Sequence, residues 1–164
     1  MKKILHIITG LSDGGAEAVL YRLCNFDRDN EHVVISLMDK GKYGPLLEEI
    51  GVKVYCLNMP AGSIHLMALV KLYKLLRQLK PNVVQTWMYH ADLIGGIISR
   101  LARVKNVVWG VHHTTLVRGE SKLSTMIIAK LNALISSFIP RRIIYCAEKS
   151  RQVQQSIGFD SKIG

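Results

Sequence analysis

Six short runs rich in aliphatic and β-branched residues alternate along this chain with longer stretches of helical period. The runs are Ile4–Ile8, His32–Leu37, Lys53–Leu57, Asn82–Thr86, Asn106–Gly110 and Arg142–Cys146, and each predicts a strand. Between them the spacing predicts helices over Ala16–Phe26, Tyr43–Ile50, Ser63–Leu79, Ala91–Ala102 and Ser121–Ile139, and a last one from Glu148. In the first helix Ala16, Val19, Leu20, Leu23 and Phe26 recur at helical intervals and are expected to form one buried stripe. The strand runs are nearly continuous rather than alternating, as expected where helices cover both faces of a parallel sheet. Pro81 is expected to stop the third helix and release the chain into the fourth strand. Strict alternation of strand and helix predicts a Rossmann-like α/β domain, a doubly wound parallel sheet flanked by helices.

In such a sheet, ligands bind outside the carboxyl ends of the strands. That rule selects Thr9–Glu17, Met38–Lys42, Asn58–Ser63, Trp87–Asp92, Val111–Gly119 and Ala147–Arg151. The first of these carries Gly10, Gly14 and Gly15 where a strand turns into a helix, a place where backbone N–H groups can face an anion. These glycines do not spell G-x-G-x-x-G, so a nicotinamide dinucleotide is a poor fit. The fourth carries His90 and Asp92. The fifth carries His112, His113, Thr114 and Thr115. Imidazoles at the ligand edge can donate to phosphate or hydroxyl groups or act as bases near neutral pH. No histidine or carboxylate spacing indicates a metal, no G-x-S-x-G turn a serine hydrolase, and no Walker lysine a P-loop.

Charge adds one constraint. The 164 residues carry 22 Lys and Arg against 12 Asp and Glu, a net +10. A partner bearing negative charge is expected. Lys71, Lys74 and Arg77 recur through the leucine-rich helix Ser63–Leu79, and Lys122, Lys130, Arg141 and Arg142 mark a second basic stretch, so an anionic membrane surface is a candidate. Nucleic acid is not expected, because no helix-turn-helix, zinc-finger or RNP signature occurs. Three widely spaced cysteines, Cys24, Cys56 and Cys146, suggest reduced thiols and a cytoplasmic setting.

Three segments resemble retaining glycosyltransferases of family 4. They are Gly14-Gly15-Ala16-Glu17 at the first helix, Lys80-Pro81-Asn82-Val83-Val84-Gln85-Thr86-Trp87-Met88-Tyr89-His90-Ala91-Asp92 around the fourth strand, and Pro140–Glu148 around the sixth. The resemblance implies a GT-B fold of two Rossmann-like domains facing across a cleft. On that reading residues 1–164 are a single N-terminal, acceptor-side domain, and the domain that holds most of the donor lies outside them. Gly14 and Gly15 match the loop near the donor diphosphate, and His112, or His113 if the register slips by one, matches a histidine that contacts the transferred sugar. His90 matches a polar position near the acceptor; Asp92 and Thr114 accompany these as candidate substrate contacts. The implied activity is transfer of a sugar from a nucleotide-sugar to a glycan or lipid-linked acceptor in surface polysaccharide or glycolipid synthesis. The implied enzyme is cytoplasmic or peripheral on the inner face of the membrane, needs no metal or other cofactor, and is inactive as this fragment alone. A non-hydrolysing nucleotide-sugar epimerase and a non-catalytic membrane-associated binding module are the alternatives.

Overall fold

The computed structural model describes residues 1–111 and 123–161. In chain order the elements are β1 (Lys3–Ile8), α1 (Gly15–Phe26), β2 (Glu31–Ser36), α2 (Tyr43–Glu49), β3 (Lys53–Cys56), α3 (Leu66–Leu79), β4 (Val83–Trp87), α4 (Tyr89–Leu101), β5 (Val107–Val111), α5 (Leu123–Ile135), β6 (Arg142–Tyr145) and α6 (Glu148–Ser156). The six strands form one sheet in the order β3-β2-β1-β4-β5-β6, and every neighbouring pair is parallel. The expected doubly wound, Rossmann-like architecture is therefore present. Each predicted element lies within a few residues of its observed place.

Local chemistry explains the boundaries. Lys80 ends α3 in the left-handed region (φ 45°), its N–H donating to Leu76 O at 3.1 Å. Pro81 then bars further helix, so the chain leaves for β4. Helix α3 begins three residues later than the spacing suggests, at Leu66, behind an extended His65 that supplies no side-chain cap.

The sheet separates two apolar layers. On one face Leu5, Ile7, Val33, Ile35, Val84 and Trp109 meet residues of α3, α4 and α5. On the other, Ile8, Val34 and Trp87 meet Leu20 and Cys24 of α1 and Leu47 of α2. The stripe on α1 differs from expectation: Ala16, Glu17, Leu20 and Cys24 are buried, whereas Val19 and Phe26 are exposed. At 3.6 residues per turn, Val19 and Phe26 lie more than about 100° around the helix from the centre of that arc. Coverage of the second face also stops short of the β6 edge, where Ile144 is 53% exposed. The continuous apolar runs had suggested two fully covered faces.

One buried polar chain interrupts the second layer. The Trp87 indole N–H donates to His6 Nδ1 at 3.2 Å, and His6 Nε2 lies 2.9 Å from His32 Nδ1. Indole can only donate, so Nδ1 of His6 is the acceptor and its Nε2 carries the proton given to His32. His32 Nε2 in turn lies 3.3 Å from Asp27 Oδ2 at the end of α1. The directions all run one way, from β4 through β1 and β2 to α1. Burial, reinforced by the neighbouring His32, lowers the His6 pKa to about 3.

The sign of the pH effect follows. An unfolded histidine takes up a proton below about pH 6.5, whereas His6 in the fold resists it. Its neutral form therefore favours the fold fully above that pH, and the contribution is lost as the pH falls toward 3. Urea unfolding between pH 7 and pH 4 is expected to show stability falling by about 2 kcal/mol or more from this group. His6→Gln, which keeps a donor and an acceptor but does not titrate, is expected to flatten that fall.

Candidate functional site

β1 and β4 lie side by side, but β2 and β3 extend the sheet from one and β5 and β6 from the other. Connections leaving their carboxyl ends diverge, and a crevice opens between them. Two unlike turns build its rim.

The turn after β1 runs from Thr9 to Gly14. Gly14 caps α1 with extended backbone (φ −140°, ψ 169°) and without any side-chain cap. Glu17 is buried and lies against it, so its negative charge meets the positive end of the helix. A Cβ on Gly14 would collide with that carboxylate. A Cβ on Gly15 would meet no atom within 4 Å. A side chain at Gly14 thus needs the Glu17 carboxylate to shift, while Gly15 leaves open space beside the first amides.

The turn after β4 is one residue long. Met88 joins Trp87 to Tyr89 with φ 73° and ψ 155°, a conformation that costs a non-glycine residue about 1–3 kcal/mol. It sends the chain directly into α4 and places His90 in the helix's first turn. His90 is half-buried, and burial lowers its pKa, so near neutral pH the ring offers one donor and one acceptor.

His90 and Thr9 line the same cavity, about 400 Å³, together with Met38, Met59, Ser63 and Thr125. The Thr9 hydroxyl is buried with no hydrogen-bond partner among the described residues. Hydroxyls, a neutral imidazole and methionine walls, with no charged side chain among the described lining residues, suit a neutral polyhydroxyl ligand better than a bare anion. Thr9 and Ser63 stand in loops that the strand-end rule selects. Nothing in their sequence separates them from other loop hydroxyls, and only the fold brings them to His90.

The remaining expected contacts are placed otherwise. Gly14 and Gly15 edge the crevice at α1 but do not line this cavity. Asp92, expected to meet substrate, is corrected: it is fully buried, and its Oδ1 accepts from Thr86 Oγ1 at 2.5 Å. It shares the sheet-facing side of α4 with Gly95, Gly96 and Ser99, because i, i+3, i+4 and i+7 fall on one face. Burial raises its pKa well above the ordinary carboxylate range, and the Thr86 bond only partly offsets this. His112, His113 and Thr114 lie outside the described residues.

Among the described residues, one cluster of potential metal donors occurs, away from the crevice. Donor atoms of His6, Cys24 and His32 lie within 4.8 Å of one another, all in buried residues. The Trp87 donor occupies His6 Nδ1, so Nε2 bears the proton and is directed to His32 rather than free to bind a cation. Burial also raises the Cys24 thiol to about 12, away from the thiolate a metal requires.

Two substitutions separate structure from site. Gly14→Ala is expected to lower the melting temperature by crowding Glu17, whereas Gly15→Ala is expected to leave it unchanged or higher, since alanine is the better helix former. Thermal unfolding of both variants checks this. Asp92 has a folded pKa above its unfolded value near 4, so the stability it confers is fullest at low pH and declines as the pH rises through that window. Asp92→Asn stays neutral, and its melting temperature is expected to gain on the parent's steadily from pH 4 to pH 8.

Comparison with known proteins completes the picture. The profile for Glycosyltransferase Family 4 matches residues 13–163. The structure resembles that of Anabaena HepE in complex with UDP and glucose, with a TM-score of 0.79 and 21% identity over 99% of this chain and 43% of that one. The lipopolysaccharide outer core galactosyltransferase WaaB, in its apo form, gives a TM-score of 0.64 at 13% identity, over 98% of this chain and 44% of that one. The UDP-N-acetylglucosamine 2-epimerase of Rickettsia bellii gives 0.60 at 15%, over 99% and 43%. These likenesses establish a shared fold, and this chain spans less than half the length of each. A comparison with curated proteins gave no match. From the loop before α1 to beyond α6, the chain matches and belongs to glycosyltransferase family 4, as the Rossmann-like N-terminal half of a GT-B fold.

Proposed function

We propose that this domain is the acceptor side of a retaining glycosyltransferase that moves a sugar from a nucleotide-sugar to a glycan or lipid-linked acceptor. The observation that carries the reading is the cavity between the β1 and β4 turns, where Thr9 and His90 converge in a family 4 chain. Such a site can hold acceptor hydroxyls by neutral hydrogen bonds. The donor is held chiefly by a second domain across the crevice. Amides at the start of α1, beside the space left by Gly15, offer partial positive charge to the diphosphate as it leaves. No metal is required for that step, and His112 or His113, following β5, contacts the transferred sugar. Residues 1–164 by themselves are then inactive.

The setting we propose is the inner face of a membrane, in surface polysaccharide or glycolipid synthesis. No described helix is long and apolar enough to cross a membrane. Between Glu49 and Glu148, however, the sequence has thirteen Lys and Arg and only two acids, Asp92 and Glu120. Leu66, Met67, Leu123, Leu134 and Phe138 are exposed on α3, on α5 and just after it. Exposed apolar side chains among cations favour peripheral docking on anionic lipid.

The test uses the intact protein and a panel of nucleotide-sugars, with products separated by mass. Glycosylated acceptor is expected. Release of an epimerised nucleotide-sugar would instead support the epimerase reading, which rests on the shared fold alone. His112→Ala combined with His113→Ala is expected to slow transfer by about 100-fold or more. Parent-like rates in that double variant would remove both histidines from the site.

A further inference from the structure

We infer that the acceptor is an amphiphile whose hydrocarbon chain lies in a groove between α3, α4 and α5 while its sugar end occupies the Thr9–His90 cavity. This deepens the acceptor-side reading above and rests on it. The groove measures about 430 Å³, and the described residues that line it are all isoleucine or leucine. Ile64 and Ile94 belong to its walls and also to those of the cavity, so the two spaces adjoin.

The helices grade from polar to apolar along the same path. On α4 the wall passes from His90 to Ile94 and then to Ile97 and Ile98. On α5 it passes from Ser124 and Thr125 to Ile128 and then to Leu131 and Ile135. Both helices start at the carboxyl edge of the sheet, so their polar ends are at the crevice and their apolar ends lead away from it. From Ser124 to Ile135 the path is about 16 Å at 1.5 Å per residue. A soluble glycan would gain nothing from that surface. A lipid-linked sugar matches both parts, with hydroxyls to the cavity and methylenes to the groove.

Charge points the same way. The three helices carry Lys71, Lys74, Arg77, Arg100 and Lys130, and their only acid, Asp92, is buried. Such walls suit a lipid drawn from an anionic bilayer.

Chain-length dependence is the test. Calorimetry on the intact protein would use monomeric methyl, butyl and octyl β-glucosides as probes. At about fourfold in affinity per buried methylene, the octyl compound is expected to bind at least tenfold more tightly than the butyl one. Ile97 and Leu131 are 37% and 43% exposed, so Ile97→Gln with Leu131→Gln spares the core and keeps good helix formers. That variant is expected to melt as the parent does and to lose the octyl advantage. Equal affinity for butyl and octyl probes, or an advantage that survives in a folded double variant, would overturn the inference whatever the headgroup. The two readings fail separately. Chain-length-dependent binding by a protein that transfers no sugar leaves the groove and removes the transferase. Transfer to glycans and glycolipids alike, without a chain-length effect, leaves the transferase and removes the groove.

Discussion

Backbone pairing of β1 with β4, in register from Ile4↔Val83 to Ile8↔Trp87, joins two strands whose sheet neighbours lie on opposite sides. Parallel strands cannot be joined by a tight hairpin, so each connection must travel over a face of the sheet. At this pairing the connections diverge, leaving the crevice. The Thr9 turn, the strained Met88, the start of α4 and the cavity they share are consequences of that reversal. So is the buried chain from Trp87 to Asp27, which crosses the same pairing and ties β4 to α1 through two histidines.

The polar groups inside the fold divide by purpose. His6, His32 and Asp92 sit deep within it, and their hydrogen bonds run to neighbouring strands and helices. They position elements and meet no ligand space. Thr9 stands apart from these by its place: it lines the cavity, and its hydroxyl has no hydrogen-bond partner among the described residues. Asp92 illustrates how easily the two classes are confused. It stands two residues beyond His90 at the ligand edge, yet successive helix positions lie about 100° apart, which turns one residue to the crevice and the other to the sheet.

Much of the architecture is legible in the chain alone. Continuous apolar runs, helical spacing and Pro81 are short-range signals, and they locate the strands and helices within a few residues. Part of the site is legible too, because strand ends in a parallel sheet mark the ligand edge, and His90 stands there. The α1 stripe and the outer β6 edge were misjudged for one reason: hydrophobicity says that a residue can be buried, not that a partner is present to bury it. Phe26 is 90% exposed and Ile144 about half exposed.

By itself the sequence determined the alternation of elements, their parallel arrangement, the cationic balance and the family to which the chain belongs. These depend on local spacing and composition, or on motifs read directly from neighbouring residues. Tertiary structure alone decided that Thr9 and His90 line one cavity, that Asp92 faces inward, and that an apolar groove continues the cavity between α4 and α5. Those juxtapositions join residues far apart in the chain, and strand order sets them.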